Sequence, residues 1–171
     1  VDWISFAKLR GSYGTTGNDK IGDYQYLSSY VYTGGIYDTG GLSPTRLNNS
    51  NFSWETNRKK EIALELSLLN NKLSFSIAHY NNLSSNQLVG IPLAATTGFT
   101  TVQANLPANV ANIGTEIDVK FQYLNRKKWH ANIGGNISFN KNKLLSFPNL
   151  EGSTYKNTFV VGQPTSIALV Y

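Results

Sequence analysis

The 171-residue sequence contains no cysteine and no methionine, and its only histidines are His79 and His130. Without cysteine there is no disulfide framework and no thiolate metal centre, although that absence alone does not settle the compartment. Two histidines lacking a convergent third ligand make no zinc site, so polar roles facing a lumen or an interface are expected for both. Nothing approaches the roughly 18 consecutive apolar residues of a membrane helix, which excludes a helical membrane protein. The opening, "VDWISFAKLRGSYG", shows no charged leader followed by an apolar run and reads as a stretch from inside a longer protein.

Catalytic signatures are also missing. Gly11, Gly14 and Gly17 beside Thr15 and Thr16 resemble a phosphate cradle only superficially, because the GK[ST] ending and the following helix are lacking. Glu61, Glu65, Glu116 and Asp118 would need a defined separation to act as a glycosidase pair, and carboxylates facing a hydrated lumen are the default. No catalytic residue, metal site, cofactor or enzyme activity is expected. The net charge is +5, with basic runs at Arg58-Lys59-Lys60 and Arg126-Lys127-Lys128. No nucleic-acid-binding motif accompanies them, so they are assigned to solvated strand ends and turns rather than to a nucleic-acid partner.

What the sequence does have is alternation. In "WHANIGGNISF", Trp129 to Phe139, the odd positions are Trp, Ala, Ile, Gly, Ile and Phe, and the even positions are His, Asn, Gly, Asn and Ser. A period of two means a strand. The same pattern places Ala7, Leu9, Gly11 and Tyr13 against Phe6, Lys8, Arg10 and Ser12. It sets Ile62, Leu64, Leu66 and Leu68 against Ala63, Glu65, Ser67 and Leu69, and Leu73, Phe75 and Ile77 against Ser74, Ser76 and Ala78. Ile117, Val119, Phe121 and Tyr123 stand against Glu116, Asp118, Lys120 and Gln122. A sixth alternating segment begins near Thr165 with Ile167, Leu169 and Tyr171.

The eleven residues of Trp129 to Phe139 match the roughly 9 to 11 that a tilted strand needs to cross a bilayer. Aromatics end its apolar face at both borders, as interfacial girdles require. The opposite faces carry more charge than a dry core tolerates. The apolar face is therefore expected to meet lipid and the polar face a water-filled lumen. The connections agree. Asn70-Asn71-Lys72 and Asn125-Arg126-Lys127-Lys128 read as tight turns. Gly14 to Asn57, Asn81 to Thr115 and Asn140 to Pro164 read as long polar loops, and short turns alternating with long loops are the pattern of a transmembrane barrel. "EIALELSLLN" from Glu61 and "EIDVKFQYLN" from Glu116 repeat one hairpin register.

Ordered blocks along nearly the whole chain, "KLRGSYGTTGNDKIGDYQYL", "LSLLNNKLSFSIAHYN", "TTGFTTVQANLPANVANIGTEIDV", "WHANIGGNISFNKNKLLSF" and "VGQP", resemble the SusC/RagA family of TonB-dependent outer-membrane transporters of Bacteroidetes. The resemblance implies an all-β fold of antiparallel up-and-down strands, about six strands of a family barrel of 22. Residues 1–171 are then expected to be a fragment of the C-terminal part of that barrel, with the plug domain, TonB box and final strand not present. It also implies the outer membrane of a Gram-negative cell, and uptake of oligosaccharides or peptides as nutrients. The partners implied are a SusD-type lipoprotein, outer-membrane lipid, and TonB acting through the absent plug.

No ligand-binding residue is identifiable outright. The loop aromatics Tyr37, Phe52, Trp54 and Phe99 are the candidates, because aromatic rings stack on sugars, though large loops also pack on themselves. Two other readings stay open. A soluble carbohydrate-binding β-sandwich would bury the apolar face under a second sheet, and a passive porin would differ in having no plug.

Overall fold

The computed structural model describes residues 3–18, 27–34, 40–126 and 128–168. Among these described residues seven strands form two antiparallel sheets. β1 (Ile4–Asn18), β4 (Glu55–Leu68), β5 (Leu73–Pro92), β6 (Thr101–Arg126) and β7 (Trp129–Ser146) make a five-stranded sheet in that order. β2 (Ser29–Gly34) and β3 (Gly40–Arg46) pair as a separate hairpin within the first long connection. Neighbours in the large sheet are neighbours in the chain, apart from that inserted hairpin, so the up-and-down expectation holds. The sheet is open, with β1 and β7 at its edges.

The register aligns the alternations into rows. One row is Leu9–Leu64–Ile77–Ile117–Ile137, and the next is Lys8–Glu65–Ser76–Asp118–Asn136. Odd residues of β1, β5, β6 and β7 thus share a face with even residues of β4, and that face is apolar. Its large side chains are bare: Leu9 is 71 % exposed, Ile133 69 % and Phe139 59 %. A sandwich would cover them with a second sheet, and no described element does so. Burial is accordingly sparse for the chain's size and is confined among the described residues to Ala63, Leu106, Ala108, Val110, Ala111, Gly114, Leu144 and Phe147.

Several boundaries differ from the sequence expectation, for one reason. Asn81 to Thr115 is not a loop: β5 continues to Pro92 and β6 begins at Thr101, leaving an eight-residue connection with a 3-10 turn at Ala95–Thr97 and Gly98 at φ 78°. β1 runs on to Asn18, and β7 to Ser146. β5 has 20 residues and β6 has 26, about twice what a membrane crossing needs. Beyond the apolar band both faces of a hairpin meet water or other loops, so the period of two fades while the backbone ladder persists. An irregularity marks the transition: Ser85 pairs Asn109 and Gln87 pairs Leu106, with Asn86 at φ 54°. Pro107, which has no N–H to give a ladder, falls in this break.

The tight turns sit at the opposite end. Leu69, Asn70 and Asn71 take φ of 54°, 55° and 64° between β4 and β5. The left-handed region suits Asn and strains Leu. The turn is tied to the neighbouring edge, where Leu69 N–H donates to Trp3 O at 2.9 Å and Asn71 N–H to Ser5 Oγ at 3.1 Å. β6 and β7 are joined across 127–128. The expected sixth strand does not begin at Thr165: residues 165–168 form turn and coil, and Leu169 and Tyr171 lie outside the described residues.

Candidate functional site

The polar face is a lattice of charges and amides rather than a catalytic constellation. Arg10 on β1 reaches two carboxylates of β4, with Nε 2.8 Å from Glu65 Oε1 and Nη1 3.8 Å from Glu61 Oε1. Four positions apart on one strand, an even spacing, put both glutamates on the same face as Arg10. Across the sheet the row of Glu65 continues through Ser76 and Asp118 to Asn136, and the row of Arg10 through Ala63, Ala78 and Glu116 to Ser138. Arg10, Glu61 and the β5, β6 and β7 members of these rows line an open depression of about 510 Å³. All the partners are partly exposed, so the ion pairs are worth at most about 1 kcal/mol each. Their value is to hold a wet, mixed-charge wall.

One position on that wall explains the density of glycine and asparagine. Tyr80 on β5 and Asn140 on β7 flank Gly114 on β6, and Tyr80 Oη donates to Asn140 Oδ1 at 2.8 Å over it. A Cβ at Gly114 would come within 2.6 Å of the Tyr80 ring and of Asn140 Oδ1. Glycine is required there to let the side chains meet across the middle strand. Higher on the face, Asn142 Nδ2 donates to Asn112 Oδ1 at 2.7 Å, and where the β6–β7 register shifts Asn109 Nδ2 donates to Ser146 Oγ at 2.8 Å.

The end with the long connections is stitched into a rim. The segment returning from the first connection donates from Asn49 Nδ2 to Gln103 O at 2.8 Å. Ser53 and Asn105 exchange two bonds, Ser53 N–H to Asn105 Oδ1 at 2.8 Å and Asn105 Nδ2 to Ser53 O at 2.7 Å. The segment after β7 folds back on the polar side of the upper strands. Leu106, Ala108, Val110, Leu144 and Phe147 pack there with Val89, Leu150, Tyr155 and Phe159. Gly162 and Gln163 bond the backbone of Leu144 at the free edge of β7.

The aromatic candidates are scattered around this rim rather than gathered. Tyr37 lies outside the described residues. Phe52 is half-buried beside the stitched segment, and Trp54 is 63 % exposed with its ring lying over Gly17, where an added Cβ would meet it at 3.3 Å. Phe99 is half-buried in the β5–β6 connection, its N–H donating to Thr97 Oγ1 at 3.3 Å. Rings do associate at Phe147, Tyr155 and Phe159, with Tyr155 and Phe159 stacked at 5.6 Å. Sequence reasoning passed over these three because they fall in a stretch without periodicity; three aromatics within thirteen residues was the available signal. His79 turns to the apolar face at its upper border and pairs with Thr115 Oγ1 at 2.9 Å. Among the described residues no group of three or more His, Cys, Asp or Glu is placed to hold a metal.

No family model matches the chain. Among curated proteins it is 29 % identical over 153 residues to a TonB-dependent receptor of Formosa agariphila, covering 89 % of this chain and 14 % of that protein. It is 25 % identical over 162 residues to the TonB-dependent receptor SusC of Bacteroides thetaiotaomicron, covering 91 % and 16 %. Among solved structures it matches a chain of the RagAB peptide importer in the "closed-closed" state with a TM-score of 0.80 and 25 % identity, covering 96 % of this chain and 18 % of that one. The chain therefore spans about one sixth of the length of the proteins it matches.

Proposed function

The chain is a segment of the outer-membrane β-barrel of a SusC/RagA-type TonB-dependent transporter, and from that premise we propose that it forms wall and mouth for the uptake of oligosaccharides or peptides under a SusD-type surface lipoprotein. The proteins it resembles are receptors and transporters, and the segment's part is to shape a path rather than to do chemistry. The apolar face meets lipid and the polar face lines the lumen. Force from TonB would act on a plug belonging to other parts of the protein.

The observation that carries the proposal is the stitched rim. Asn49 and Ser53 of the first connection are bonded to Gln103 and Asn105 of the β5–β6 extension. Two connections far apart in sequence thus become one platform above the lumen. Fixing such long segments costs conformational entropy, which an idle surface would have no reason to spend. The platform's amide and hydroxyl groups, with Phe52 and Trp54 at the first connection and Phe99 in the β5–β6 connection, suit hydrogen bonding and stacking on a sugar or a peptide. Tyr37, which falls between β2 and β3 in the sequence and outside the described residues, belongs to the same candidate set.

Shortening the hairpin between Thr33 and Pro44 in the intact transporter is expected to weaken lipoprotein association or uptake at limiting substrate while the barrel still folds. Pull-down of the lipoprotein and growth on the cargo measure the two effects. Normal association and normal uptake would remove this hairpin from recognition.

A further inference from the structure

The charges of the five-stranded sheet are sorted by face, and the lumen accounts for only one set of them. Glu55, Glu61, Glu65, Glu116 and Asp118 all stand on the lumen face, mixed with Lys8, Arg10, Lys59 and Lys120. On the outward face, just above the apolar band on the mouth side, two successive rows read Tyr13–Lys60–Asn81–Ile113–Lys141 and Thr15–Arg58–Leu83–Ala111–Lys143. Arg58, Lys60, Lys141 and Lys143 are all exposed there. No Asp or Glu occupies an outward position anywhere on the described strands of this sheet.

Long basic side chains at a membrane border commonly reach up into water, which by itself needs no ligand. Two further features set this border apart. The cations stand in two pairs, on β4 and on β7, three strand spacings or about 14 Å apart. Between them runs a shallow groove of about 230 Å³ with an apolar floor of Leu83, Ala111 and Ile113 and a wall of Tyr13, Arg58 and Lys60. Lys60 Nζ lies 5.6 Å from the Tyr13 ring centroid, which positions its stem against the groove. An apolar channel flanked on both sides by positive charge, with no carboxylate outward on the described strands, matches an anionic amphiphile, and its level on the barrel matches the outer leaflet.

We propose that this outward rim is a binding site for a phosphorylated lipid of the outer leaflet. Its phosphates lie between the β4 pair and the β7 pair, and an acyl chain descends over Leu83, Ala111 and Ile113 into the apolar band. The site rests on the facing of the barrel wall and is independent of what the lumen carries.

The test uses the full-length transporter in non-ionic detergent, with bisphosphorylated lipid A and its dephosphorylated form as probes and native mass spectrometry as the readout. The wild type is expected to retain the phosphorylated lipid in preference to the dephosphorylated one, with inorganic phosphate failing to displace it. Combined Arg58→Gln, Lys60→Gln, Lys141→Gln and Lys143→Gln changes should weaken retention on the order of tenfold or more, while Lys8→Gln with Lys120→Gln on the lumen face should leave it intact. Equal retention of both lipids by the wild type, displacement by inorganic phosphate, or equal retention by wild type and outward variant would each overturn the proposal. The wild-type comparison decides the matter even if the quadruple variant fails to fold. Loss of cargo uptake with lipid retention unchanged would count against the transport proposal alone.

Discussion

β6 carries two opposite designs on one continuous strand. Between Thr115 and Phe121 its apolar residues, Ile117, Val119 and Phe121, occupy odd positions and face outward without protein cover, while Glu116, Asp118 and Lys120 face the lumen. Between Leu106 and Val110 the apolar residues occupy even positions, on the lumen side, and are among the most buried of the chain: Leu106 6 %, Ala108 1 % and Val110 6 % exposed. The lower stretch is written for a solvent of hydrocarbon supplied by the membrane. The upper stretch is written for a small core supplied by the chain itself, where the segment after β7 folds back with Phe147, Tyr155 and Phe159. One hydrogen-bonded ladder therefore serves two different hydrophobic partners, and the side that must be greasy switches with the partner.

The comparison breaks most sharply at Leu144, which is 1 % exposed and sits at the centre of the upper cluster. Leu144→Ala in the full transporter should lower folding stability by about 2 to 5 kcal/mol, a transfer loss plus a cavity. The rim should loosen with it, which hydrogen exchange at residues 147–163 would register while the lower strands keep their protection. Unchanged exchange in that segment would mean that the cluster does not hold it.

The lower stretch is tested by Val119, in the outward row Phe75–Val119–Gly135. Val119→Lys should cost about 2 to 4 kcal/mol near the middle of the membrane, whereas Gln122→Lys on the lumen face should cost less than about 1 kcal/mol. The heat-modifiable folded band in detergent measures both. Equal losses would refute the assignment of faces.

The smallest effect is expected at Gly114, between the two stretches. Gly114→Ala should displace the Tyr80 ring and break its bond to Asn140, costing about 1 kcal/mol. A second change, Tyr80→Phe, should then add almost nothing, because the bond is already lost. Additive losses would show that the glycine serves something other than this crossing.

By itself the sequence determined the strands inside the membrane band and which way they face. One side must match hydrocarbon and the other water, and that contrast writes a period of two into Leu73–Ile77, Ile117–Phe121 and Trp129–Phe139. It also determined the tight turns around Asn70 and Lys128, which Asn and charge mark locally. It did not reveal that Asn81–Pro92 and Thr101–Gly114 are strand, because above the band most of the ladder has no such contrast between its faces to record. Nor did it reveal the aromatic trio or the bonds from Asn49 and Ser53 to the β5–β6 extension, since each joins residues about fifty positions apart or lies in an aperiodic stretch. Only the tertiary structure decided those features: backbone pairing and rim packing depend on which chain segments are brought side by side, and a local pattern carries that information only where a solvent boundary imposes it.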